Sequence, residues 1–259
     1  MTTNRRELEI RVAEVSRALH RMGWVANHDG NVSVRLDEGR FLATPTAVSK
    51  AAITRESLIV VDERGALVSG QGKPFTEMSL HLAVFRARSD VQAVVHAHPP
   101  TATGFAVAGS SIKTTMLAES VVSLGATVPL VAYARPKTPE WTQNLLAHLD
   151  EADALLLEHH GVLTYGPDVE TAYLRMELVE HLAKIQLAAE QAGQTRDIPA
   201  ADVAKLLEAR TAAGLGRVAR AKAAGTSVAV LTPTPSVSAG DARLKAMVLE
   251  EVGRALGRS

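Results

Sequence analysis

The sequence predicts a mixed α/β fold, a central sheet covered by helices. Three observations carry this expectation. Segments with apolar residues at helical spacing alternate along the chain with short apolar or alternating runs that read as strands. The chain has 259 residues, 46% of them hydrophobic, enough for a sizeable core without staples. No internal repeat points to a solenoid or propeller instead.

Leu8, Val12, Val15, Leu19 and Met22 recur at helical spacing, so the chain opens with an amphipathic helix ending at Gly23. A polar turn over 27–31 leads into a strand over 32–36, a hairpin turn at Asp37-Glu38-Gly39 and a return strand over 40–43. A strand over 57–61 precedes a helix over 76–88. Val91 to His98 reads as a buried strand closed by Pro99-Pro100, followed by a short helix over 101–108. A strand over 128–133 and a helix over 139–149 come next. Two strands, 154–157 and 162–165, flank a turn at His160-Gly161. Long helices follow at 169–192 and 203–223.

The composition changes near residue 224. Residues 224–240 are rich in Pro, Ser, Thr and Gly and read as a flexible linker. After it, 241–257 reads as a short amphipathic helix with Asp241 as N-cap and Leu244, Val248, Val252 and Leu256 along one face. A helix this short is marginal in water by itself and needs a partner. The domain reading is therefore a catalytic domain over 1–223, a linker and a tail helix.

Several function classes are disfavoured at once. Net charge is +0, from 28 basic and 28 acidic residues, which favours neither a nucleic-acid nor an anionic-membrane partner. Cysteine is absent, so disulfides, thiolate metal sites and a cysteine nucleophile are all excluded. No apolar run approaches the ~18 residues that span a bilayer, and the first residues do not read as a signal peptide. The expected location is the cytoplasm.

The chemistry concentrates in His96-Ala97-His98 and His160-Gly161. Strand side chains alternate with period two, so His96 and His98 share a face at a strand end. A third imidazole from a second strand end would complete a transition-metal site. On this pattern alone, three satisfied structural histidines remain an equal reading. Glu77 lies at the start of the helix that precedes the His-x-His strand.

The ordered set Gly30-Asn31-Val32-Ser33-Val34-Arg35, Thr44-Pro45-Thr46-Ala47, Lys73-Pro74-Phe75-Thr76-Glu77, Val94-Val95-His96-Ala97-His98 and His159-His160-Gly161 resembles the class II aldolase/adducin family over roughly residues 8–215. The resemblance implies a three-layer α/β/α fold with a mixed, largely antiparallel sheet. It implies one divalent metal per subunit, zinc, held by His96, His98 and His160. Glu77 would ligate the resting metal and then act as acid/base. It implies a homotetramer acting on a small molecule, with cleavage of a short sugar phosphate or related hydroxy-ketone through a metal-stabilised enediolate. Its phosphate pocket maps onto Asn31, Thr46, Ala47, Phe75 and Thr76, with Ala47 in place of a glycine and Phe75 in place of a serine. A family tyrosine that donates a proton across the subunit interface falls near Thr115, and no tyrosine stands there.

Phe75 and the missing tyrosine leave a decarboxylase, an epimerase or a dehydratase of the same family as alternatives. A non-catalytic adducin-like scaffold fits less well, because such domains lose the histidines that this chain keeps. Among other residues, His28, Glu119 and Tyr133 are candidates to face substrate. His159 and His81 read as structural, and Lys73 as a solvated or loop-fixing charge. The tail resembles an encapsulation peptide that would dock on a bacterial microcompartment shell protein through 241–257; packing on its own oligomer is the competing reading.

Overall fold

The computed structural model describes residues 4–36 and 39–216. Helix α1 (Arg5–Arg21) is capped by Asn4, whose side chain accepts from the Arg6 amide. Strands β1 (Asn31–Arg35) and β2 (Arg40–Ala43) form the expected hairpin. Strands β3 (Ile59–Asp62) and β4 (Leu67–Ser69) extend the sheet outward from it. Helix α2 (Met78–Ala87) leads to β5 (Ala93–Ala97) and α3 (Pro100–Val107). Then come α4 (Ala118–Leu124), β6 (Leu130–Val131), α5 (Pro139–Leu146), β7 (Ala154–Leu157), β8 (Gly161–Gly166), α6 (Val169–Ala192) and α7 (Ala200–Ala212).

The eight strands form one sheet in the order β4-β3-β2-β1-β5-β8-β7-β6. Every neighbouring pair is antiparallel except β6 with β7. Helices α1, α3 and α6 bury their apolar sides on one face, and α2 and α5 on the other. The expected three-layer α/β/α architecture with a largely antiparallel sheet is therefore present. Period-two alternation sorts β5 between the layers. Ala93, Val95 and Ala97 pack toward α1, α3 and α6, while Val94 packs toward α2 and α5. No helix among the described residues is long and apolar enough to cross a membrane.

Some boundaries differ from the sequence expectation. Strand β4 has no counterpart there: it is an edge strand with all three residues exposed, so it carries no alternating pattern. Helix α4 has none either, being only 7 residues long. The strand expected over 128–133 pairs with β7 at only two positions, Leu130 with Leu156 and Val131 with Leu157, while Val128 makes an isolated bridge to Ile112. Pro129 lacks the amide needed to extend the ladder. The last helix starts at Ala200 and ends at Ala212 rather than spanning 203–223, because Gly214 turns the chain at φ +70°. The linker at 224–240 and the tail helix at 241–257 lie outside the described residues.

A buried ion cluster pins the far end of the sheet. Asp153, just before β7, accepts from Arg88 after α2 (2.9 Å), Arg175 on α6 (2.8 Å) and Arg210 on α7 (2.8 Å). Burial pushes its carboxyl pKa up, but the three guanidinium groups outweigh this and hold it below the usual carboxylate range.

Candidate metal centre

The site is built where β5 and β8 lie side by side and antiparallel, pairing His96 with Leu163 and Ala97 with Val162. His96 is the fourth residue of β5 and His98 follows its end, so both imidazoles leave the same face. His160 sits in the turn between β7 and β8, where its amide donates to the Leu157 carbonyl at 3.0 Å. One nitrogen from each of the three rings lies within 4.8 Å of the others. The Nε2 atoms of His96 and His98 are 3.1 Å apart.

Gly161 permits this convergence. A Cβ there would come 2.5 Å from His98 Cδ2 and 2.6 Å from the Ala97 carbonyl oxygen. Any side chain would push the strand ends apart.

The donor set fits a divalent transition metal. His96 Nδ1 lies 2.9 Å from the Val162 carbonyl oxygen. A carbonyl only accepts, so Nδ1 carries the proton and the Nε2 lone pair is free. Asp29 Oδ2 lies 3.6 Å from His98 Nδ1, placing a carboxylate behind the second ring. Burial holds the His96 pKa well below its ordinary value, and the neighbouring His160 and His98 lower it further. Burial and His160 also lower His98, against the pull of Asp29. Neutral imidazoles at physiological pH are what metal binding requires.

Glu77, at the N-cap of α2, reaches the same cluster. Its Oε1 lies 3.7 Å from His160 Nε2, and its Oε2 lies 3.4 Å from Asn31 Nδ2. Burial raises the carboxyl pKa, but the His160 interaction and a backbone hydrogen bond outweigh it, so Glu77 is held below its ordinary value and is ionised at neutral pH. Asn31 Oδ1 is buried without a hydrogen-bond partner among the described residues, which leaves an acceptor for a ligand hydroxyl.

Glu77 separates two cavities. One, of ≈ 180 Å³, is lined by Asn31, Thr46, Phe75 and Thr76 together with His28 and Asp29. Ala47 stands outside that lining, in the left-handed region at φ +59°, where an alanine is strained. The other cavity, of ≈ 210 Å³, is lined by Tyr133, Trp141, His159 and His160 among others. The Trp141 ring stacks on His160 with centroids 6.2 Å apart and planes 20° apart.

His81 is fully buried and bonded through Nδ1 to Ser33 Oγ at 2.7 Å, and burial lowers its pKa to about 3. His159 is exposed and lies beside Tyr133, and Lys73 is exposed with its carbonyl accepting from the Thr46 amide. Glu119 is exposed on α4. Thr115, near which the resemblance puts a tyrosine, donates to Asp197 at 2.5 Å.

Sequence reasoning missed Asp29, Trp141 and the Val162 carbonyl as partners of the histidines. It also missed Lys50, which lines the first cavity. Asp29 stands next to Gly30-Asn31, a signal that could have found it. The other three are brought in by distant parts of the chain.

This fold and histidine cluster define a class of protein, and residues 10–187 match the profile of the Class II Aldolase and Adducin N-terminal domain. The chain belongs to the class II aldolase and adducin family. It is 30% identical over 173 residues to an L-fuculose phosphate aldolase of Methanococcus maripaludis, an alignment covering 66% of this chain and 92% of that one. It is 30% identical to a 3-oxo-tetronate 4-phosphate decarboxylase of Haemophilus influenzae, covering 67% of this chain and 84% of that one. The crystal structure of YgbL from Escherichia coli superimposes with a TM-score of 0.72 at 28% identity, covering 78% of this chain and 99% of that one.

Proposed function

We propose that this protein is a zinc-dependent lyase that breaks a carbon–carbon bond next to a carbonyl in a short sugar phosphate or related hydroxy-ketone. The observation that carries this is the cluster of His96, His98 and His160 with the ionised Glu77 between two cavities. A divalent metal held by the three histidines would supply Lewis acidity toward the carbonyl and hydroxyl oxygens. Retro-aldol cleavage also requires proton transfers. The hydroxyl on the carbon that becomes the aldehyde loses a proton. The carbon that keeps the bonding electron pair gains one. Glu77 is the group beside the cluster suited to this work, as a carboxylate that can take a proton and return it. Asn31 holds that carboxylate in place, and the two cavities orient the two halves of the substrate.

A second reading, decarboxylation by the same site, is favoured by Phe75, whose ring occupies a cavity position where the family presents a hydroxyl. The similarity to the Haemophilus decarboxylase, at the same 30% identity as the Methanococcus aldolase, also supports it. The test is a panel of ketose phosphates and hydroxy-keto acids offered to the metal-loaded protein. Aldehyde release supports the first reading, and carbon dioxide without aldehyde supports the second. Neither product from any substrate would count against both.

We also read the protein as a cytoplasmic homotetramer, by family resemblance, and its tail as an encapsulation peptide. Light scattering tests the first. Deletion of residues 225–259 tests the second: activity and oligomer should persist while association with a microcompartment shell is lost.

A further inference from the structure

Lys50 opens a one-turn 3-10 helix (Lys50–Ala52) capped by Ser49, four residues after Thr46. Its side chain turns inward and the residue is 1% exposed. The ammonium donates to the carbonyl oxygens of His28 (3.1 Å) and Val48 (3.0 Å). An ammonium has three donors, so one N–H remains. No carboxylate oxygen of the described residues lies within 4.0 Å of it. The nearby acids have other partners, Asp29 facing His98 and Glu77 facing His160 and Asn31.

A buried cation without an ion pair carries a desolvation cost that an anionic ligand beside it would offset. Burial lowers the Lys50 pKa to about 8, with Asp29 and Glu77 pulling it back upward, so the group is charged at neutral pH. The same residue lines the ≈ 180 Å³ cavity beside the histidine cluster. Thr46 and Thr76 line it too, and their hydroxyls have no partner among the described residues. The cavity therefore combines a buried positive charge with a free N–H and two uncommitted hydroxyls. That is the chemistry of an oxyanion site.

We propose that Lys50 determines specificity by holding an oxyanion of the substrate, a phosphate or a carboxylate, in this cavity. It replaces with charge what Phe75 and Ala47 remove from the family's glycine-and-hydroxyl pocket. The proposal rests on the lyase reading above for the identity of the substrate, but oxyanion binding is measurable without turnover.

The experiment measures binding of inorganic phosphate, and separately of malonate, to the full-length protein by calorimetry, both as purified and after metal removal. Lys50→Met keeps the length of the side chain and deletes the charge. It should weaken whichever oxyanion the wild type prefers by about tenfold or more, the size expected for a lost charge-assisted hydrogen bond. The preferred probe identifies the group as phosphate or carboxylate. The metal-free arm excludes binding to the metal itself. Lys50→Arg, which retains the charge, should stay within a few-fold of wild type, and it keeps the test open if Lys50→Met fails to fold. Unchanged affinity in Lys50→Met, or no binding of either probe to the wild type, would overturn the proposal. Failure of the lyase reading would instead leave oxyanion binding intact with no product formed. Once a substrate is known, Lys50→Met should raise KM for it far more than it lowers kcat.

Discussion

His96 donates its Nδ1–H to the carbonyl oxygen of Val162 across the β5–β8 pair, at 2.9 Å. This one bond selects the tautomer of the most buried ring in the cluster and turns its other nitrogen toward His98. Protein purified without chelator should therefore carry close to one divalent metal per chain by elemental analysis. His96→Ala, His98→Ala or His160→Ala should each largely empty the site. Full occupancy in any of the three would show that the ring in question is not a ligand.

Glu77→Gln should keep the fold and much of the metal while losing turnover by the ~10²–10⁴-fold typical of a general acid/base. The amide keeps the length and the approach to Asn31 but cannot exchange a proton at neutral pH. Wild-type rates in this variant would remove Glu77 from the mechanism.

Gly161→Ala should weaken the site without replacing any ligand. Its new Cβ would meet His98 Cδ2 at 2.5 Å and the Ala97 carbonyl at 2.6 Å, so the strand ends must separate. A loss of metal affinity of about tenfold or more is expected, as for residues that orient metal ligands. Competition with a chelator of known affinity measures it.

Asp153→Asn should be among the most destabilising single changes in the described residues. It removes the carboxylate shared by Arg88, Arg175 and Arg210 and leaves buried guanidinium charge uncompensated. The expected loss is about 3–5 kcal/mol, read from urea unfolding at neutral pH. A loss under about 1 kcal/mol, the scale of an exposed pair, would mean the cluster is solvated in solution.

The metal-free protein should lose stability as pH falls from about 6.5 toward about 3, in part through His81. Its folded pKa is depressed, so below the unfolded value the unfolded chain binds a proton that the native chain refuses. His81→Asn, which retains a partner for Ser33, should reduce the pH slope of unfolding free energy by up to about 1.4 kcal/mol per pH unit in that window. Identical slopes in the two proteins would mean that His81 is not buried neutral.

Much of the fold is legible in the sequence because burial imposes periodicity. The apolar stripe at Val12, Val15 and Leu19 marks α1, and the alternation through Val94, His96 and His98 is enough to put both histidines on one face. Segments that bury little give no such signal. Strand β4 exposes every residue, and α4 makes only two turns. The resemblance motifs bring His160, Glu77 and Asn31 into the same account, although these residues come from three separate segments.

What the sequence by itself determined was the set of reactive side chains, their parity on strands and the absence of thiol chemistry. Tertiary structure decided the partners. The Val162 carbonyl, the Asp29 carboxylate and the Trp141 ring meet the histidines only because the sheet order brings β5 beside β8 and the loops close over their ends. No pattern in the sequence marks Lys50 as buried. Only the packed loop around 28–31 takes it out of water, because burial depends on what distant chain covers a residue and no local pattern encodes that cover.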